Sequence, residues 1–265
     1  MIKLIKMNLY RMTHAVSTWV LMACMIAMTL FAFSMNKLVL DDPFNMNLSQ
    51  GMQDVPTYMT SIDSISSYVQ VGMIIMLVGI FVVIFTNAEH KCGFDKNIVG
   101  ITKSRAKQTI ARWISSIIGA TALTVVGQGF YIGLSAAFMN DFRWDSAKDF
   151  LCVCAVAYLG LVTFVTLFFF FTTLFNSSTG GIVATCFIST GLLALIESLL
   201  DKVADKIFSS PAHVPSDFFL DSAFMYLDLN SVAVKGCTFF LILCAAYIVL
   251  SLGGSVLLQQ KRDIR

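Results

Sequence analysis

The sequence predicts an all-α protein that crosses a membrane six times as a single domain. Three observations predict it. Of 265 residues, 57% are hydrophobic and only 13% charged, where a soluble domain carries about 25% charge. Apolar runs of about 20 residues, the length of a bilayer-spanning helix, recur along the chain. The lysines and arginines collect in alternate connections between those runs. The same figures exclude a disordered chain, a coiled coil and a disulfide scaffold, and leave little chain for a soluble catalytic domain. A net charge of +2 gives no basis for nucleic-acid binding.

Residues 1–14 place Ile2, Ile5, Leu9 and Met12 at helical spacing, with Lys3, Lys6 and Arg11 on other faces. This pattern predicts an amphipathic helix lying at the membrane interface. Spans are expected over about 16–35, 68–87, 113–138, 150–175, 180–200 and 237–258. The first is longer than the apolar core of a signal peptide, and no small-residue cleavage pattern follows it closely. Residues 88–112 form a basic loop between the second and third spans. The fourth and fifth are joined by Asn176-Ser177-Ser178-Thr179-Gly180-Gly181, a tight turn whose polar side chains can cap the next helix. Between 201 and 236, two semi-apolar pieces flank Pro211 and Pro215. They are too short and too charged to cross, and read as outer re-entrant or interfacial helices.

Basic residues orient the chain. Twelve of the 18 lie at residues 1–14, in the 88–112 loop and in the tail, including Lys91, Lys96, Lys103, Arg105, Lys107 and Arg112. Only six, Lys37, Arg143, Lys148, Lys202, Lys206 and Lys235, lie on the opposite side. By the positive-inside rule both termini are cytoplasmic and the chain is multi-pass.

Little catalytic chemistry is present. The seven cysteines are scattered, and His14, His90 and His213 stand far apart, so the cysteines read as small apolar fillers and no metal site is expected. No phosphate-binding G-x-x-x-x-G-K-[ST] loop exists, and Gly127, Gly129 and Gly133 fall inside a span. Together with Gly119 and Ala122 they are expected to let helices approach closely. No aspartate pair or nucleophile with a base lies within the spans, so an enzyme is not expected. Glu197 is the lone acid inside an expected span, near its outer end; structural, interfacial and transport roles are all open to it.

Two segments invite a functional reading. Phe168 to Phe171 are consecutive, with Phe164 and Phe175 nearby. Four consecutive residues cover the whole helix circumference, so periodicity does not separate packing or lipid contact from the wall of a greasy path formed by Phe164, Phe168, Phe171 and Phe175. In the basic loop, Glu89 at the membrane exit, Gly93 four residues on, then Phe94, Lys96 and Asn97 read as a short helical lead, a break and a second helix. A basic loop obeying the topology rule alone and a docking helix for a cytoplasmic partner are the two readings.

The segment Glu89 to Asn97 resembles the E-x-x-x-G and Lys-Asn motif that follows the second span in permease subunits of ABC-2-type, or type V, transporters. The ending Gln259-Gln260-Lys261-Arg262-Asp263-Ile264 is similar to the tails of that family. So is the layout: an interfacial N-terminal helix, six spans, a cytoplasmic coupling helix and short outer re-entrant helices. The chain departs from it in carrying Phe94-Asp95 where many members have threonine after the glycine.

The resemblance implies a homodimeric permease with a separate cytoplasmic ABC ATPase subunit in a bacterial plasma membrane. ATP and magnesium would bind in that subunit, with no cofactor or metal in this chain. Glu89, Gly93, Phe94, Lys96 and Asn97 would couple ATP hydrolysis to the spans. Similarity to compact exporters of bacteriocins and phenol-soluble modulins implies an amphipathic or antimicrobial peptide as cargo. Drugs, lipid-linked glycans and, outside the class, a non-transporting scaffold or sensor are the alternatives.

Overall fold

A long apolar segment in lipid can satisfy its backbone N–H and C=O groups only within itself, and helices result. The computed structural model describes residues 1–40, 59–69, 72–91, 105–139, 142–207, 215–225, 227 and 237–261. These residues are mostly helical. In chain order they form α1 (Ile2–His14), α2 (Val16–Leu40), β1 (Met59–Thr60), α3 (Ser61–Val69), α4 (Gly72–Lys91) and α5 (Arg105–Phe138). There follow β2 (Phe142–Arg143), α6 (Ala147–Phe175), α7 (Ser178–Ser189), α8 (Leu193–Ile207), a 3-10 turn (Pro215–Phe218), α9 (Leu220–Met225) and α10 (Thr238–Lys261).

Four of these helices, α2, α5, α6 and α10, are long and apolar enough to cross a membrane, and the number reaches six if two bent pairs each count as one span. The expected second and fifth spans are those pairs. The expected second span, 68–87, corresponds to α4, which α3 meets at 58°. The fifth, 180–200, is broken: α7 and α8 meet at 57°. Hydropathy alone runs through this break, but Ser189-Thr190-Gly191 ends a helix. The hydroxyls of Ser189 and Thr190 donate back to the carbonyls of Thr185 and Cys186, and Gly191 takes φ +72°, a left-handed conformation that suits a residue without Cβ. α5 begins at Arg105, well before the expected Trp113.

The turn between α6 and α7 also differs from expectation. Ser177 precedes α7 but makes no side-chain cap. Asn176 closes α6 instead, in the left-handed region at φ 51° with its N–H on the carbonyl of Thr172 at 3.0 Å. Asparagine is among the few side-chain-bearing residues that adopt this conformation readily.

α6 is the central pillar. It packs on α10, α4, α7, α5 and α3, and Val153, Val156, Leu161, Phe164, Val165 and Phe168 are buried along it. Short α9 folds back beside it, with Phe224 set between Phe164 and Phe240 at ring separations of 5.7 and 5.9 Å. At the opposite end α1 packs against α5 and α2, burying Asn8 and Met12.

Two of the expected close-approach glycines act that way. A Cβ on Gly119 would lie 2.5 Å from Met12 Sδ and from Phe81 Cζ, and one on Gly127 would lie 1.8 Å from the Tyr68 hydroxyl. Gly129 and Gly133 meet nothing within 4 Å, and Ala122 is exposed, so among the described residues these three bring no helices together. α3 is held at its start by a reciprocal cap: Thr60 N–H donates to Asp63 Oδ2 and Asp63 N–H to Thr60 Oγ1, both at 3.1 Å. Asp145 adds a brace from beyond β2, accepting from Ser61 Oγ at 2.9 Å and Ile62 N at 3.0 Å.

Candidate functional site

Among the described residues, buried acidity is concentrated where α8, α9 and α10 converge. Glu197, on the second turn of α8, is 3% exposed, and Asp221, at the start of α9, is 7% exposed. The break at Gly191 sets the direction of α8, and the 3-10 turn at 215–218 brings α9 back over it. Asp201, one turn beyond Glu197, pins that return by accepting from Ser216 N at 2.9 Å. Ser222 donates its hydroxyl to Glu197 Oε2. Glu197 Oε1 is buried, and the Glu197 and Asp221 carboxyls are hydrogen-bonded to each other. Burial raises the Asp221 carboxyl above the usual carboxylate range, an effect opposed by its hydrogen bonds.

Beside this pair runs an apolar groove of about 560 Å³, and Asp221 lies on its lining. One wall is Leu167, Phe171 and Phe175 of α6, which recur at helical spacing. The other is α7, where Thr179, Val183 and Phe187 form one row and Gly180, Ala184 and Ile188 the next. The small residues of the second row hollow the groove. Leu220 of α9 and Tyr247 of α10 close its far end, and the Tyr247 hydroxyl is anchored on the carbonyl of Phe218 at 3.0 Å.

The four phenylalanines proposed from sequence as a path are divided by the fold. Phe164 and Phe168 are each 1% exposed and stack on each other in the core, 6.0 Å between centroids. Phe171 and Phe175, stacked at 6.2 Å, both line the groove. Sequence reasoning singled out Glu197 but took it for a lone acid. The i, i+4 placement of Glu197 and Asp201 was the available local signal; the approach of Asp221 and Ser222 carried none.

A second polar concentration lies where α1 meets the last turns of α4 and the first turns of α5. Asn8, Thr86, Asn87, Gln108, Thr109 and Arg112 are all buried. Arg11 lies over the Phe85 ring at 5.4 Å, and Trp113 Nε1 donates to Thr166 Oγ1 at 3.0 Å, fastening α5 to α6. Arg112, counted from sequence as a loop cation, is 2% exposed and belongs to this seam. Glu89 lies on the last turn of α4. Gly93, Phe94, Lys96 and Asn97 lie outside the described residues.

No family model, no curated protein and no solved structure matches this chain.

Proposed function

We propose that the chain is the membrane permease subunit of an ATP-driven exporter of the ABC-2 class, working as a homodimer with a separate ATPase subunit. Its setting is a bacterial plasma membrane with both termini in the cytoplasm. Its cargo is an amphipathic peptide. The observation that carries the reading is the buried seam of Asn8, Thr86, Asn87, Gln108 and Arg112, directly beside the helix end that carries Glu89.

An amphipathic helix held only by lipid would move independently of the spans. Here α1 packs on α5, and its Arg11 lies over Phe85 of α4, so a push on α1 or on residues 88–104 is transmitted to α4 and α5 together. That is the property required of a surface that receives force from an ATPase. On this reading Glu89 anchors the loop to a basic partner, Gly93 makes its turn, and Phe94, Lys96 and Asn97 contact the ATPase. Export then uses a route along Phe171 and Phe175, both of which line the apolar groove.

The test is reconstitution with a candidate ATPase encoded beside this chain, measuring ATP turnover and peptide transport in proteoliposomes. Gly93→Pro and Glu89→Ala are expected to retain the complex but lose transport-coupled turnover. Normal coupling in both variants would overturn the coupling assignment, and an ATPase that neither binds the chain nor is stimulated by peptide would overturn the exporter reading. Cysteines placed at Asp54 and Asp217 are expected to label only from outside; labelling from the cytoplasm would overturn the orientation.

A further inference from the structure

We infer that the groove between α6 and α7 is a binding site for a cationic amphipath: an extended apolar body lies along the groove and a primary ammonium group sits at its far end, beside Asp221 and Glu197. The inference deepens the exporter reading, on which its physiological meaning rests, by naming a ligand class and the residues that select it.

Three observations point to such a ligand. The groove is elongated: its α7 wall runs from Thr179 to Ile188, about 14 Å at 1.5 Å per residue. Its volume of about 560 Å³ falls within the range of roughly 300–1,000 Å³ that holds small organic ligands. The wall offers aromatic and aliphatic side chains such as Phe171, Phe175 and Val183 along its length, and a carboxyl group, Asp221, at one end only. An apolar body with one charged head fits that polarity.

Among the described residues the acid pair has no positive partner: no lysine or arginine pairs with Glu197 or Asp221, and the charged neighbour that Glu197 has besides Asp221 is another acid, Asp201. Buried carboxyls without a counter-charge are costly unless a proton or a cation is supplied. Glu197, 97% removed from solvent, accepts the Ser222 hydroxyl on Oε2 and is hydrogen-bonded to the Asp221 carboxyl. These contacts fix Glu197 behind Asp221, the carboxyl that lies on the groove lining. A primary ammonium carries three donors and no acceptor, so it supplies both a counter-charge and donors to the Asp221 carboxyl on the groove lining. An alcohol supplies only a donor, and an anion is repelled.

The experiment uses the purified full chain in phosphatidylcholine nanodiscs, with radiolabelled dodecylammonium as the probe and no ATPase present. Saturable binding is expected, with dodecanol and dodecyl sulfate each competing at least about tenfold less well than unlabelled dodecylammonium. Glu197→Gln retains an oxygen for Ser222 and Asp221→Asn is isosteric; the double variant is expected to bind roughly tenfold or more weakly. Val183→Trp, which fills the groove, is expected to abolish saturable binding.

Equal competition by dodecanol, unchanged binding in the double variant, or no saturable binding would each overturn the inference. The head-group selectivity is read on the unaltered chain, so it decides the question even where a variant fails to fold. Failure here leaves the ATPase-coupled reading standing, and failure of ATP coupling leaves a measured binding site standing.

Discussion

Alanine at Gly127 and alanine at Gly129 should shift stability in opposite directions, although the two positions lie two residues apart on α5. At Gly127 the added methyl would lie 1.8 Å from Tyr68 Oη, 2.9 Å from Cζ and 3.2 Å from Met25 Cγ. Tyr68 is fully buried, with its hydroxyl accepting from Thr29 Oγ1 at 3.3 Å, and Met25 is buried as well. The ring has nowhere to go without opening the contact among α2, α3 and α5. Overpacking of this kind costs about 1–3 kcal/mol, and alanine's helix preference over glycine returns at most about 1 kcal/mol. The net expectation is a loss of about 1–2 kcal/mol for Gly127→Ala. Gly129→Ala meets open space and should be neutral or stabilising by up to about 1 kcal/mol. Reversible SDS unfolding of the purified chain in mixed micelles measures both. Removing the hydroxyl with Tyr68→Phe in the Gly127→Ala background should recover only part of the loss, because Cζ stays at 2.9 Å. Equal stability of the two alanine variants would refute the packing argument.

Further outcomes follow from the same contacts. Phe224→Ala should cost about 3–5 kcal/mol, since it empties a buried site against Phe164 and Phe240, whereas Phe175→Ala, 51% exposed, should cost under about 1 kcal/mol; SDS unfolding separates them. Asp145→Ala removes acceptors from both Ser61 and Ile62 and should cost about 1–2 kcal/mol, with amide exchange rising first in α3. Asp221 is raised above its ordinary value of 3.8, so the folded chain holds the proton where the unfolded chain has released it. Its contribution is complete below that value and is lost as pH rises through the folded pKa. Melting curves from about pH 4 to about pH 7 should show the unaltered chain losing stability relative to Asp221→Asn, and parallel profiles would contradict the buried acid.

The parts legible in sequence are those set by local composition. Runs of apolar residues demand helices in lipid wherever they occur, so α2, α5, α6 and α10 lie close to the expected spans, and the 3.6-residue pattern of residues 1–14 anticipates α1. The breaks were legible too, but in a different register from hydropathy. Ser189-Thr190-Gly191 is a helix-ending signal, and Thr60-Ser61-Ile62-Asp63 carries the spacing of a capping box. An average over a window of about 19 residues smooths over both.

What the sequence by itself determined is the helical and apolar character of its long runs, compatible with a membrane-embedded chain, because that character depends on residue type and short-range spacing alone. The tertiary structure decided which members of a chemically uniform set do what. Phe164 and Phe168 are core while Phe171 and Phe175 line a groove; Gly127 is a contact and Gly129 is open. Glu197 ceased to be a lone acid when a bend at Gly191 and the return of α9 brought Ser222 to it from 25 residues away. The physical reason is common to all three. Identical side chains differ only in their neighbours, and those neighbours come from helices whose crossing is set by packing rather than by the local sequence.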